Sequence, residues 1–132
     1  MMKKSILFAA FCLALGACQM SLEKQAAIKL KEYTEKNCPQ RMSETVIMDS
    51  CRFEADTHTL HYFYRFTGVM DNDSLISSRN DELRKMMVYT VKNDMSTRTY
   101  KEAGYQFQYS YFSEKEPQKL LFDIVLTKQD YQ

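Results

Sequence analysis

The chain has 132 residues, with 18 Lys and Arg against 17 Asp and Glu and a formal net charge of +1. So even a balance excludes nucleic acid as a partner, which needs clustered excess cation to meet phosphate, and no run of like charges reaches the length of an interaction tail. Nine Tyr and eight Phe, with only three Gly and two Pro, describe a folded, strand-rich chain and exclude intrinsic disorder.

Met1-Met2-Lys3-Lys4 opens the chain with positive charge, and Ser5 to Leu15 is uncharged and almost wholly apolar before two small residues. Charge, apolar run and small residues are the three parts of a secretory signal. The run is about half the roughly 20 residues of a spanning helix, so no permanent membrane helix is expected from it. It closes on Leu15-Gly16-Ala17-Cys18, which resembles the lipobox of bacterial lipoproteins: a leucine, two small residues and an obligatory cysteine. The resemblance implies that residues 1–17 are a signal peptide, that Cys18 carries diacylglycerol, and that residues 18–20 are a lipidated tether to one domain spanning 21–132. It implies the membrane as a partner through the lipid on Cys18, with a second acylation completing the anchor, because one acyl chain holds a bilayer only marginally. Gln19 follows; an aspartate there resembles an inner-membrane retention signal, so glutamine implies the outer membrane, facing the periplasm. Loss of Lys3 and Lys4 turns the net charge from +1 to −1.

Cys12 leaves with the signal and Cys18 with the lipid, so Cys38 and Cys51 remain. Two thiols in an exported domain most simply form one disulfide, worth roughly 3 kcal/mol in the chain-entropy account. A redox or metal pair is the rival reading, but the spacing matches neither a C-x-x-C motif nor a zinc site.

Ser21 is an N-cap candidate for a helix that runs to Asn37, with Leu22, Ala26, Leu30 and Tyr33 on one face. Asn37-Cys38-Pro39 stops it. Thr45 to Glu54 and Leu60 to Phe66 read as strands, the second with Leu60, Tyr62, Tyr64 and Phe66 on one face. Between them Ala55 to Thr59 is a connection of hairpin length. Gly68 to Ser78 reads as a polar loop. Ser78 then caps a second helix with Asp81 at N3, and Leu83, Met86, Met87, Thr90 and Val91 follow at core spacing, the methionines as packing residues. Met95 to Ala103 adds a short helix closed by Gly104. Tyr105, Phe107, Tyr109 and Tyr111 alternate with polar residues in a third strand, and Leu120, Phe122, Ile124 and Leu126 form the inner face of a fourth. The expected fold is α+β: a two-layer sandwich with a four-stranded antiparallel sheet and helices on one face, in αββαββ order. The same pattern resembles a group of small exported bacterial proteins, through Leu60-His61-Tyr62-Phe63-Tyr64, Gly104, Tyr109-Ser110-Tyr111 and the Leu120 to Leu126 strand. That resemblance implies the fold and export; no activity comes with it.

Little in the chain reads as chemistry. His58 and His61 are the only histidines, and on one strand their spacing points them to opposite faces, wrong for one metal ion. Asp71-Asn72-Asp73 has the oxygens of a calcium loop but lacks the glycine and distal glutamate of an EF-hand, and reads as a solvated loop. No nucleophile elbow, phosphate loop or paired-carboxylate motif is recognisable. No catalytic residue, metal site or cofactor is therefore expected, and no enzyme. The sheet face turned away from the helices carries Phe63, Arg65, Gln106, Gln108, Leu121 and Val125, a mixed surface suited to protein contact unless the sheet bends or the Gly68 to Ser78 loop covers Phe63 and Val125. The expected function is a lipid-anchored interaction or accessory module that holds an envelope protein near the membrane. The alternatives are a small binder of an apolar ligand between sheet and helices and, after it, a hydrolase.

Overall fold

Ser21 caps the first helix as its place before an apolar stripe requires: its hydroxyl accepts the Lys24 N–H at 3.2 Å. The computed structural model describes residues 20–132, and the expected signal and the Cys18 attachment point lie outside the described residues. Helix α1 (Leu22–Asn37) buries Ala26 and Leu30 of its stripe and leaves Tyr33 37% exposed at one side. The chain continues through β1 (Gln40–Ser43), β2 (Val46–Glu54), β3 (Thr59–Phe66), α2 (Asp73–Ser78), α3 (Asn80–Asn93), α4 (Arg98–Glu102), β4 (Gln106–Ser113), β5 (Leu120–Leu126) and α5 (Lys128–Tyr131). Among the described residues no helix is long and apolar enough to cross a membrane.

The architecture is α+β with one mixed sheet of five strands, in the order β1-β2-β3-β4-β5. This corrects the expected four-stranded antiparallel sheet in two respects. First, β1 is an additional edge strand. Gln40-Arg41-Met42-Ser43 shows no apolar alternation and is mostly exposed, so only the ladder to β2 defines it. Second, β1/β2, β2/β3 and β4/β5 are antiparallel, but β3 and β4 run parallel, in register from Thr59 and Gln106 to Phe66 and Ser113. The reason is the crossover. The 14 residues of α3 span about 21 Å, comparable to a strand of the sheet, so one helical pass returns the chain to the end where β3 began and β4 must run alongside it.

The stretch read as a polar loop also contains α2. Asn72 caps it by accepting the Leu75 N–H at 3.0 Å, and Ile76 anchors it with no exposed surface. Ser78 closes this helix, donating back to the Leu75 carbonyl at 2.7 Å, and does not cap the next.

Leu60, Phe107 and Leu126 from neighbouring strands meet Ile76 of α2 and Val91 of α3 at the centre of the core. Helix α1 lies on β2, where the Thr34 hydroxyl donates to the Cys51 carbonyl at 2.8 Å and accepts the Cys51 N–H at 2.9 Å. Helices α3 and α5 pack on each other and on β5. The Tyr131 ring meets Phe107 edge-on, and its hydroxyl donates to the Tyr105 carbonyl at 2.7 Å.

Behind the sheet, a polar row crosses four strands. His61 Nδ1 lies 2.5 Å from Glu54 Oε1, His61 Nε2 lies 2.8 Å from Ser110 Oγ, and Ser110 donates to Asp123 at 2.5 Å. Ser110→Ala removes the middle of that row and leaves buried polar groups short of partners. The unfolding free energy should fall by about 1–3 kcal/mol in denaturant titration, whereas Val69→Ser, at a position 77% exposed, should change it by less than about 0.5 kcal/mol.

Candidate functional site

On the helix side, α1 sits over β2 while α3 leans toward β5, and the middle strands between them are left uncovered. The result is an open, mostly apolar groove of about 610 Å³. Its floor is Tyr62 and Tyr64 of β3 with Tyr109 and Tyr111 of β4, Lys29 and Tyr33 of α1 form one wall, Met87 and Thr90 of α3 the other, and Met42 of β1 closes one end. A smaller apolar hollow lined by Met70, Leu83 and Met86 shares Val46, Met87 and Tyr111 with it, so the trough continues past the end of β3.

The floor follows from the parallel register. Tyr62 stands abreast of Tyr109 and Tyr64 abreast of Tyr111, and each pair stacks, at 5.1 Å and 11° and at 4.7 Å and 12°. Phe66 extends the stack, 4.6 Å from Tyr111. Among the described residues none of the four hydroxyls has a protein partner, and each of the four tyrosines is partly exposed and lines the open groove. Burial raises the ionisation of all four phenols above the ordinary tyrosine range, with neighbouring acidic groups adding to the effect at Tyr62, Tyr64 and Tyr109; Tyr111 is pushed up to about 12 by burial alone. The hydroxyls are therefore neutral donors and acceptors at any envelope pH.

The outer face is differently composed. Phe63 lies against His61 with ring centroids 3.9 Å apart, under the Arg52 guanidinium at 4.8 Å. Arg65 donates to Asp49 at 2.8 and 3.0 Å and approaches Glu114 at 3.8 Å. Gln108 donates to Asp123 at 3.1 and 3.2 Å, and Gln106 accepts from Thr59 at 3.4 Å. Val125 is exposed, so no loop covers it. Leu121 does not join this group: it packs against the core and lines a small cleft with Asp71 and Ser113. Five of the six expected surface residues thus share a face, but its polar members are already bonded within the protein.

Glu54, His61 and Ser110 stand in an acid–histidine–serine row that sequence spacing does not reveal. The row does not make a nucleophile. Ser110 is 4% exposed, its proton goes to Asp123, and its backbone lies between two paired strands, with no spare N–H to steady an oxyanion. His58 sits in the β2–β3 turn with a φ of 51°, bonded to Glu23 at 2.7 Å. The acids of Asp71-Asn72-Asp73 serve structure. Asp71 accepts from Ser113 at 2.5 Å and from the Lys115 N–H at 3.0 Å, bonds that hold its carboxyl below the usual range. Asp73 pairs with Lys119 at 3.3 Å. Among the described residues no group of three or more His, Cys, Asp or Glu is placed to hold a metal ion.

Cys38 and Cys51 are free thiols in the structure. Cys38 caps α1; Cys51 lies in β2 beneath it and lines the groove. Burial raises both thiols, and at Cys38 the nearby Cys51 and then Asp49 raise it further.

Three solved structures of bacterial proteins share this fold. A Pseudomonas aeruginosa protein described as secreted is 14% identical, with 86% of this chain and 100% of that one covered at a TM-score of 0.67. The pilotin EpsS of the Vibrio vulnificus type 2 secretion system is 12% identical over 84% of this chain and 92% of that one, TM-score 0.61. The type II secretion pilotin AspS of Vibrio cholerae is 13% identical over 89% and 98%, TM-score 0.61. None of the three is described as an enzyme. No curated protein matches the chain in sequence. The chain belongs to the family described as Domain of unknown function (DUF8479), which matches residues 21–122.

The raised phenols predict alkaline behaviour. In the unfolded chain they ionise near pH 10, while in the fold they keep their protons to higher pH. Their stabilising contribution is therefore complete below about pH 10 and is lost as pH climbs through the raised values. Absorbance at 295 nm should show the groove tyrosines ionising late, together with loss of near-ultraviolet circular dichroism; early ionisation of all nine tyrosines in a folded protein would contradict it.

Proposed function

We infer that the protein is a lipid-anchored accessory module of the cell envelope whose groove holds a segment of an envelope protein near the membrane. The observation that carries the reading is the groove: an apolar trough between two helices, with a rigid floor whose hydroxyls have no partner among the described residues. Two of the solved structures with this fold are type II secretion pilotins, which supports an accessory role. The outer face with Phe63, Arg65, Gln106, Gln108 and Val125 ranks second as a contact surface, because its polar groups are already paired. A small apolar ligand is the other occupant that the groove's volume would accept.

In this reading residues 1–17 are the signal peptide, Cys18 bears the lipid, residues 18–20 are the tether to a domain at 21–132, and the protein faces the periplasm from the outer membrane. The tether is short, roughly 10 Å when extended. In that oxidising compartment Cys38 and Cys51 pair as a disulfide, tying the end of α1 to β2.

A photo-crosslinking residue at Met42 or Thr90, both exposed on the groove's rim, should join one discrete envelope protein in cells, and one at Val69 should not. Met42→Glu and Thr90→Glu should abolish that product while unfolding stability moves by less than about 0.5 kcal/mol; an unchanged product would refute the groove as the docking site. Cys18→Ala should abolish labelling by an alkyne fatty acid and partition into detergent, and persistence of either would place the anchor elsewhere. Protein taken from cells should resist thiol alkylation until reduced, and reduction should cost about 2–4 kcal/mol of stability.

A further inference from the structure

The groove floor is polar where packing alone would call for phenylalanine or leucine. The sheet fixes its geometry: strands about 4.8 Å apart and side chains on one face about 6.7 Å apart along a strand set the four hydroxyls of Tyr62, Tyr64, Tyr109 and Tyr111 on a small grid. The rings stack on one another across the β3/β4 pair, so an occupant meets ring edges and oxygens and not open aromatic faces. That arrangement does not suit a ligand held by stacking, such as a sugar or a base. Nor does it suit a purely aliphatic occupant. An acyl chain or an all-apolar helix face would strip water from the hydroxyls and offer no bond in exchange.

Charge adds direction. Lys29 on the α1 wall and Asp94 beyond the end of α3 are the only charged side chains among the described residues that line the groove. Lys29 stands in no ion pair among the described residues, and the Asp94 carboxylate accepts only from the Ser96 N–H and hydroxyl, at 2.9 and 2.7 Å, while the Asp94 carbonyl takes the Lys101 ammonium at 2.8 Å. An occupant with an acid at one side and a base at the other would be held in one orientation.

We propose, resting on the docking role inferred above, that the occupant is a peptide segment of an envelope protein in which apolar anchors alternate with hydroxyl or amide side chains. The anchors fill the space beside Met42 and Met87. The polar groups hydrogen-bond to the tyrosine hydroxyls, an acidic residue faces Lys29, and a basic residue faces Asp94.

A displayed library of random peptides selected on the full, immobilised chain tests this. Winners should lose binding to the Met42→Glu and Thr90→Glu variants and carry Ser, Thr, Asn or Gln between apolar residues. Their affinity should fall about five- to tenfold with Tyr64→Phe and by a similar factor with Tyr109→Phe, as loss of one hydrogen bond each implies. Both substitutions keep the rings, so thermal unfolding should stay cooperative, which circular dichroism checks. Selection on Lys29→Glu should exchange the acidic residue for a basic one. Wholly apolar winners that bind the Tyr64→Phe, Tyr109→Phe double variant as tightly as the parent would overturn the proposal and leave the docking role standing. If no winner responds to Met42→Glu or Thr90→Glu, while a fluorescent fatty acid does, both the proposal and the docking role fall.

Discussion

The parallel pairing of β3 with β4 is the constraint on which the rest of this structure depends. It is in register over eight positions, so it fixes which residues stand abreast on both faces at once. On the helix side the tyrosines stack at 4.7 and 5.1 Å, the natural spacing of neighbouring strands, so the rings pack without leaving the pleat. On the far side the same pairing brings His61 beside Ser110 and completes a bonded row from Glu54 to Asp123. A slip of one residue would turn every one of these side chains to the opposite face, exposing the tyrosine stack and burying charge.

The two faces use that seam differently. The outer face satisfies itself: Glu54, His61, Ser110, Asp123 and Gln108 bond to one another across four strands, and Arg65 holds Asp49. Such a face gains little from a further partner, because each new bond would replace one already made. The inner face is closed only at its flanks, where α1 is fastened to β2 through Thr34 and Cys51 and α3 and α5 rest on β5. Hydroxyl-bearing rings are tolerated at the middle of this layer because water reaches them; under a helix they would each need a protein partner. The same gap that permits tyrosine makes the site.

Much of the fold was legible where one short-range rule decides the outcome. Ser21 and the stripe from Leu22 to Tyr33 mark α1 to the residue, and the alternation from Tyr105 to Tyr111 marks β4. What was not legible depends on pairing and not on periodicity. Strand β1 carries no apolar pattern and exists only through its ladder to β2. Helix α2 buries a single residue, Ile76, too little to register against its polar neighbours. Strand direction leaves no trace in alternation, so the parallel seam could not be read from it, nor could His61 meeting Ser110 from 49 residues away. The groove did leave a signal. Four of the residues on the inner faces of two strands are tyrosine, and a hydroxyl repeated at core positions marks a surface that water or a ligand reaches. Met86 and Thr90 stand at core spacing in the sequence, yet both are exposed beside the trough.

Helix α1 links the two proposals about position. Its first turn lies against the β2–β3 turn, where Glu23 meets His58 at 2.7 Å, and its last turns wall the groove, where the Tyr33 hydroxyl donates to Gln40 at 2.5 Å. Its 16 residues make a strut of about 24 Å, fastened to β2 near its far end through Thr34. The groove opens along its far half, and under the proposed attachment at Cys18 the near end of this strut would stand at the bilayer. The height at which the proposed partner segment is held would then be set by a helix and not by a flexible linker. Thr34 and Cys51 fasten α1 beside the residues that wall the groove, so anything that loosens α1 from β2 there would move that wall.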